Sequence, residues 1–233
     1  MTVRGIYGRT LTTYWRHAGF LILLGAVVFV PLSLLDVLAD RAKEIDTNNV
    51  TNVEFGALIA GLSAQGVTSL LGEVFYSGAV ALSLTGEGRA RPTLLGVARR
   101  ISYWRLIAVD LLFALGTGIG LDLFLLPGIA FFTLFALAGP VVELERAGIG
   151  AAFARSARLV RASFWKVLAV LVPITLVSAA LSGLAIDLLP ELAGSNFLSD
   201  WVGEAATSML LSPVYAVAAV LITLELSGSR LAR

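Results

Sequence analysis

The stretch Ser163-Phe164-Trp165-Lys166 joins a short basic segment to a long apolar run. Ser102-Tyr103-Trp104-Arg105 does the same in mid-chain, and Thr13-Tyr14-Trp15-Arg16 does so near the start. Each stretch has a hydroxyl residue, an aromatic residue, a tryptophan and a cation, in that order. We interpret the three stretches as copies of one unit, in which an interfacial helix is followed by two membrane helices.

The composition excludes an ordinary soluble domain. The chain has 233 residues, of which 58% are hydrophobic and 14% are charged, and its mean hydropathy is +0.88. Soluble domains are about 45–50% apolar and about 25% charged. A core of this size cannot bury the excess, so lipid must solvate much of the apolar surface. The chain contains no cysteine, which excludes disulfides and thiol chemistry.

The apolar runs predict an all-α fold, because a run of about 20 apolar residues can cross a bilayer as a helix. The first run is longer than the apolar region of a signal peptide, about 7–15 residues, so we expect it to be retained. We predict one integral membrane domain over residues 1–233 with six transmembrane helices in three pseudo-repeats. The membrane helices are predicted at 17–39, 57–84, 103–125, 129–144, 165–189 and 202–226, and the interfacial helices at 3–14, 93–101 and 149–162.

Small residues and prolines predict how these helices meet. Pro127-Gly128 predicts a tight reversal that makes the third and fourth helices a hairpin. Gly116 and Gly120, on the third helix, form a small-xxx-small pair that suits close helix contact. Three similar segments in the second, fourth and sixth helices support the repeat: Ser77-Gly78-Ala79, Gly139-Pro140-Val141 and Ser212-Pro213-Val214.

The distribution of cations predicts the orientation. Of the 17 Lys and Arg residues, all but Arg41 and Lys43 fall on one side of the six-helix arrangement. Cytoplasmic loops carry the excess of Lys and Arg in membrane proteins. The basic side, with both termini, is therefore predicted to be cytoplasmic.

The tryptophan signature has two interpretations. Trp and Tyr prefer the headgroup level, and flanking cations can reach the phosphates, so the signature can be a positional anchor. The alternative is specific lipid binding in three basic pockets. In the helix at 149–162, Leu159, Phe153 and Ala157 are expected to be able to face the membrane. The candidate headgroup contacts are Trp15, Arg16, Trp104, Arg105, Arg155, Arg158, Trp165 and Lys166.

Polar side chains four residues apart form a stripe on the second and the sixth predicted helices. Asp110 lies inside the third helix, where a charge costs at least about 2.5–3.5 kcal/mol. These groups either line a polar or proton-linked pathway, or they form hydrogen bonds between helices or lie near a wet interface. The candidate intramembrane polar site comprises Gln65, Ser69, Glu73, Asp110, Glu204, Ser208 and Ser212.

Enzyme motifs are not evident. The single histidine, His17, cannot form the histidine cluster of a metal hydrolase. Gly116-Thr117-Gly118-Ile119-Gly120 is spaced like a nucleotide-binding loop but lies inside an apolar helix rather than after a strand. We therefore predict no enzyme activity, no cofactor, no metal site and no nucleic-acid partner.

Four segments between residues 103 and 180 carry a family resemblance. They are Leu126-Pro127-Gly128, Gly139-Pro140-Val141-Val142-Glu143-Leu144-Glu145, Ala154-Arg155-Ser156-Ala157-Arg158-Leu159-Val160-Arg161 and Phe164-Trp165. This pattern resembles the membrane domain attached to some bacterial glycerophosphodiester phosphodiesterases, and related stand-alone six-helix inner-membrane proteins. In that family the catalytic activity belongs to a separate soluble barrel, so the resemblance implies a multi-pass module of the bacterial inner membrane without catalysis. Glu143 and Arg155 match the pattern most closely, and a contact between them is expected on the cytoplasmic side.

Two functions remain open from the sequence. The first is a non-enzymatic integral membrane protein that supports envelope or lipid physiology. Its partners would be membrane lipids, with anionic lipids as one option, or a membrane or cytoplasmic protein. The alternative is a transporter or channel for a small or amphipathic solute, which would use the polar stripes on the second and sixth helices.

Overall fold

A computed structural model describes residues 2–46, 72–85, 93–193 and 197–228, and within these ranges the regular elements are all α-helices. Among the residues in these ranges, five segments are long and apolar enough to cross a membrane: Val3–Leu34, Tyr103–Leu121, Leu125–Leu144, Phe164–Leu181 and Trp201–Ser227. The helices are α1 (Val3–Asp46), α2 (Glu73–Thr85), α3 (Leu94–Arg100), α4 (Tyr103–Leu123), α5 (Leu125–Phe135), α6 (Ala138–Leu144), α7 (Ile149–Arg161), α8 (Phe164–Ala193) and α9 (Phe197–Ser227).

The all-α class is confirmed, and several predicted bounds match closely. The interfacial segments 93–101 and 149–162 correspond to α3 and α7, and the predicted spans 165–189 and 202–226 lie within α8 and α9. The second predicted span, 57–84, is not among the five candidate spans, because most of it lies outside the described residues, so the count of six also stays a prediction. The three-fold repeat therefore stays a prediction.

The first predicted unit is wrong in one respect, because α1 is a single helix. The separate interfacial helix at 3–14 does not exist, and the span 17–39 is the middle of α1. The sequence from Arg9 to His17 contains neither glycine nor proline, so nothing local interrupts the helix. Pro31 is accommodated inside α1, as it is in many membrane helices.

The second predicted helix, 57–84, is also wrong as an unbroken element. Gly72 has φ +93° and forms a turn, and α2 begins only at Glu73. This left-handed conformation favours glycine. A Cβ atom on Gly72 would also lie 2.5 Å from Leu32 Cδ1, but the leucine side chain can move, so the backbone conformation is the main reason for glycine here. Residues 57–71, which include Gln65 and Ser69, lie outside the described part of the chain.

The predicted hairpin exists, but its reversal lies three residues earlier than expected. Phe124 is extended and separates α4 from α5, while Pro127 lies in the first turn of α5. Proline is tolerated there because the first N–H groups of a helix have no partner within it. Gly116 faces the ring of Phe131, which leaves no room for a side chain on Gly116. The predicted small-residue contact therefore joins the two helices of the hairpin.

The fourth predicted helix, 129–144, is divided into α5 and α6 by a turn at Ala136 and Leu137. Pro140 explains the break. It has no N–H to donate to the carbonyl of Ala136, four residues earlier, and its ring would collide with that carbonyl in a continuous helix. Together α5 and α6 still cover one candidate span.

A crossing of α2 and α6 forms the centre of the core. Gly78 and Gly139 face each other there, and a Cβ atom on Gly78 would lie 3.1 Å from the carbonyl oxygen of Gly139. A Cβ atom on Gly139 would overlap the carbonyl of Val74. The similar segments at residues 77–79 and 139–141 therefore belong to helices that touch.

One end of the bundle collects the basic residues. Arg9 of α1 pairs with Glu225 of α9 at 3.2 Å. Arg105 of α4 donates to the carbonyl of Arg146 at 3.2 Å, and Arg155 of α7 also lies at this end. We call this surface the basic end. Its composition agrees with the predicted concentration of cations on one side.

Candidate functional site

A cavity of about 760 Å³ lies between α1, α2, α3 and α4. Ligand pockets are typically about 300–1,000 Å³. Among the described residues that line it, Tyr103 and Asp110 bring the only polar side chains. We call this space the lateral cavity, and its wall consists of Leu24, Val27, Val28, Leu32, Gly72, Phe75, Ala79, Leu94, Leu95, Val97, Ala98, Ile101, Tyr103, Ile107, Asp110 and Leu111.

The short helix α3 forms the part of the cavity wall at the basic end. Thr93 caps this helix by accepting a hydrogen bond from the backbone N–H of Gly96 at 3.2 Å. Val97 is buried, whereas Arg99 and Arg100 at the end of the helix are exposed. Apolar side chains of α3 thus line the cavity beside cations on the surface.

Asp110 lines the lateral cavity, is buried, and has a structural role. It is seven residues beyond Tyr103, or about 10 Å along α4 at about 1.5 Å per residue. Its Oδ2 accepts from Gly72 N at 2.6 Å, and its Oδ1 accepts from Val74 N at 2.9 Å and Phe75 N at 3.3 Å. Asp110 therefore caps α2 from another helix, where a carboxylate also complements the helix dipole.

Glu73 connects α2 to α9. Its Oε1 accepts a hydrogen bond from the hydroxyl of Ser212 at 2.7 Å. Gly72 forms a turn immediately before α2, and Gln65 and Ser69 lie outside the described part of the chain. On α9, Glu204 and Ser208 are half-buried and Ser212 is buried. The structure therefore brings together Glu73 and Ser212 from the predicted polar site, with Asp110 at the same end of α2.

The three signature tryptophans share one environment. Trp15, Trp104 and Trp165 are 70, 77 and 77% exposed, respectively. Tyr14 and Phe164 each meet the following tryptophan edge-on, at 5.5 Å between ring centroids. Exposed indoles of this kind suit the headgroup level. The candidate headgroup cations Arg16, Arg105, Arg158 and Lys166 are also exposed.

The expected contact between Glu143 and Arg155 is wrong. Glu143 is buried, and its Oε1 accepts from the backbone N–H of Ser102 at 2.8 Å, immediately before α4. Arg155 instead pairs with Glu145, with Nε 3.0 Å from both carboxylate oxygens. Arg155 pairs with Glu145 because α6 ends at Leu144. Glu143 lies inside the helix on its buried face, whereas Glu145 follows the helix and is exposed.

The apolar face of α7 packs on the bundle rather than on lipid. Leu159 is buried, and the ring of Phe153 meets Phe135 edge-on at 5.2 Å. The hydroxyl of Ser156 donates to the carbonyl of Leu134 at 2.7 Å. The expectation that Leu159 could face the membrane is therefore wrong, and the outer face of α7 is its cationic face.

The sequence reasoning missed the hydroxyls that bond backbone carbonyls of other helices. Tyr7 donates to the carbonyl of Ala169 at 3.0 Å. Pro173, four residues later, cannot bond that carbonyl within α8, and a neighbouring helix supplies the missing donor. The proline identifies the free carbonyl from sequence, but a contact between residues 162 positions apart could not be foreseen.

The fold and this arrangement of apolar helices indicate a multi-pass membrane protein. Comparison of the chain with protein-family models, with curated proteins and with solved structures gives no match. The resemblance to the membrane domain of glycerophosphodiester phosphodiesterases therefore stays a prediction that rests on the quoted segments.

Proposed function

We propose that this protein is a non-enzymatic integral membrane protein that binds a phospholipid. The acyl chains occupy the lateral cavity, and an anionic headgroup lies at the basic end. The observation that carries the proposal is the cavity itself, whose apolar wall and volume of about 760 Å³ fit hydrocarbon. We place the protein in the bacterial cytoplasmic membrane, with the basic end in the cytoplasm.

Charge supports the headgroup position. Arg99 and Arg100 follow the cavity-lining part of α3, and Arg105 lies in the first turn of α4. All three are exposed, and Trp104 beside them is exposed as well. Cations and aromatic side chains at this level attract anionic headgroups by about 1 kcal/mol per cation near the membrane surface.

Filling the lateral cavity is expected to expel the lipid. Ala98 lines the cavity from α3 and is exposed, so Ala98→Trp adds an indole there without entering the buried core. We expect at least a several-fold loss of phospholipid retained in native mass spectrometry of the detergent-purified protein. The matched control is Ala154→Trp on the exposed face of α7, outside the cavity, which should retain lipid as the wild type does. Equal retention by the two variants would contradict the proposal.

The headgroup contact is tested separately. Replacing Arg99 and Arg100 together by alanine is expected to reduce the preference for phosphatidylglycerol over phosphatidylcholine and to leave total lipid retention nearly unchanged. Arg161→Ala, at an exposed arginine of α7 that is not among the candidate headgroup contacts, is the control for a simple loss of surface charge. An unchanged preference in the double variant would remove Arg99 and Arg100 from the site while leaving the cavity proposal intact.

Transport is a second candidate because Glu73 and Ser212 form a polar contact between α2 and α9. Asp110 caps α2, and this role explains its burial without a transport pathway. The polar contact at Glu73 is therefore the remaining support for transport. Under the lipid-binding proposal, liposomes containing the protein should show no solute or proton flux above empty liposomes. A flux that Glu73→Gln abolishes would favour transport.

A further inference from the structure

The contact between α2 and α9 contains two buried oxygen atoms that have no hydrogen-bond partner among the described residues. They are Oε2 of Glu73 and the hydroxyl of Tyr215. Tyr215 is only 3% exposed, so bulk solvent does not reach it. Buried polar groups are nearly always hydrogen-bonded, to protein or to an ordered water, so each of these atoms calls for a partner.

The two oxygens belong to one cluster. Ser212 and Tyr215 are three residues apart on α9 and therefore lie on one face of that helix. The hydroxyl of Ser212 holds the other oxygen of Glu73 at 2.7 Å, which brings the carboxyl beside this face.

The neighbouring polar groups are already occupied. Asp110 accepts three backbone N–H groups at the start of α2. The hydroxyl of Tyr76 donates to the carbonyl of Leu21 at 2.6 Å, and that of Tyr14 donates to the carbonyl of Leu210 at 3.3 Å. Within the described part of the chain, Glu73 and Tyr215 are therefore the two members of the cluster that still need a partner.

We propose that Glu73, Ser212 and Tyr215 form a binding site for a single water molecule. The water accepts the hydrogen of the Tyr215 hydroxyl and donates one of its own to Oε2 of Glu73. The donor and acceptor inventory favours water over a metal cation, because a cation would satisfy Glu73 but would leave the phenolic hydrogen without an acceptor. An internal water needs two to four polar partners, and this cluster offers them.

The site is independent of the lateral cavity, whose lining includes neither Glu73 nor Tyr215. It makes the contact between α2 and α9 a hydrogen-bonded chain that runs from Ser212 through Glu73 and the water to Tyr215. Loss of either end should release the water, so the contributions of Glu73 and Tyr215 to stability should depend on each other.

A double-mutant cycle tests this dependence. Glu73→Met removes both carboxyl oxygens at similar volume, and Tyr215→Phe removes the hydroxyl. In detergent, the double variant is expected to lose less melting temperature than the sum of the single losses, by about 2–4 °C for a coupling of about 1 kcal/mol. The matched control pairs Glu73→Met with Tyr7→Phe, whose hydroxyl bonds Ala169 on α8, and these losses should add. Additive losses in both pairs would overturn the proposal.

A direct observation keeps the proposal testable if a variant does not fold. An experimental structure of the wild type at a resolution that shows ordered water should contain a density peak within about 3.2 Å of both oxygens. Direct contact between the two oxygens, without a peak, would overturn the water site. A cation would instead reveal itself as a melting temperature that rises in sodium chloride relative to choline chloride, and that result would also overturn the proposal.

Discussion

Asp110→Ala is expected to destabilise the protein by about 3–5 kcal/mol, because three backbone N–H groups, two of them in buried bonds, lose a charged acceptor at once. Hydrogen bonds to charged groups contribute about 1.5–3 kcal/mol, and each buried donor left unpaired costs about 1–3 kcal/mol. The donors Gly72, Val74 and Phe75 form the start of α2, so we expect this helix to lose its fixed position. Thermal unfolding in detergent and reversible unfolding in micelles measure the loss.

A conservative replacement and a matched control define the mechanism. Asp110→Asn keeps one oxygen acceptor, so its loss should be intermediate. Thr117→Val removes a buried hydroxyl from the same helix, and that hydroxyl has no hydrogen-bond partner among the described residues. Its replacement should change stability by less than about 1 kcal/mol. If Asp110→Ala and Thr117→Val had the same melting temperature, capping of α2 by Asp110 would be excluded.

Gly139→Ala is expected to have an effect of similar size for a steric reason. Its Cβ atom would overlap the carbonyl of Val74 and lie 2.8 Å from the hydroxyl oxygen of Ser77. The carbonyl belongs to the backbone of α2, so a side-chain rotation cannot relieve the overlap. Overpacking typically costs about 1–3 kcal/mol and occasionally more, and we expect about 3 kcal/mol or more here. The free energy of unfolding in micelles measures the loss.

The control for Gly139 is a glycine with space around it. A Cβ atom on Gly183, in α8, would meet no atom within 4 Å. Gly183→Ala should therefore leave stability unchanged or raise it by up to about 1 kcal/mol, because alanine is the better helix former. A Gly139→Ala variant as stable as Gly183→Ala would mean that α2 and α6 do not cross closely.

Both predictions concern the same architectural point, which is how α2 is held. Asp110 fixes its start, Gly139 fixes its crossing with α6, and Glu73 ties it to α9. Because α2 also contributes Phe75 and Ala79 to the lateral cavity, we expect lipid retention to fall in Asp110→Ala as well. Comparing that loss with Ala98→Trp, which leaves α2 untouched, separates a displaced helix from a filled cavity.

The physical basis of each correction is specific. Apolar runs predict helices well, but they do not show where a helix ends inside a run. A helix ends there because a backbone N–H is missing or because one residue adopts a non-helical backbone conformation. The turn at Gly72 lies where its backbone N–H donates to Asp110 of another helix, and no local pattern distinguishes Gly72 from the other glycines of the run. The break before α6 does have a local cause, because Pro140 removes the donor for Ala136. The expected pair of Glu143 and Arg155 failed because the end of α6 turns Glu145, rather than Glu143, outward.

Amino-acid content and order by themselves determined the all-α class, the membrane-scale helices, the exposed tryptophans and the collection of cations at one end. These properties follow from hydropathy and charge, which act residue by residue against lipid and water. Only the tertiary structure decided the partners of the buried polar groups. Asp110 caps a helix that begins 37 residues earlier in the chain, and Glu73 bonds a serine 139 positions away. Inside the bundle a polar group must bond whatever donor the packing brings within reach, and that choice depends on the arrangement of all the helices together.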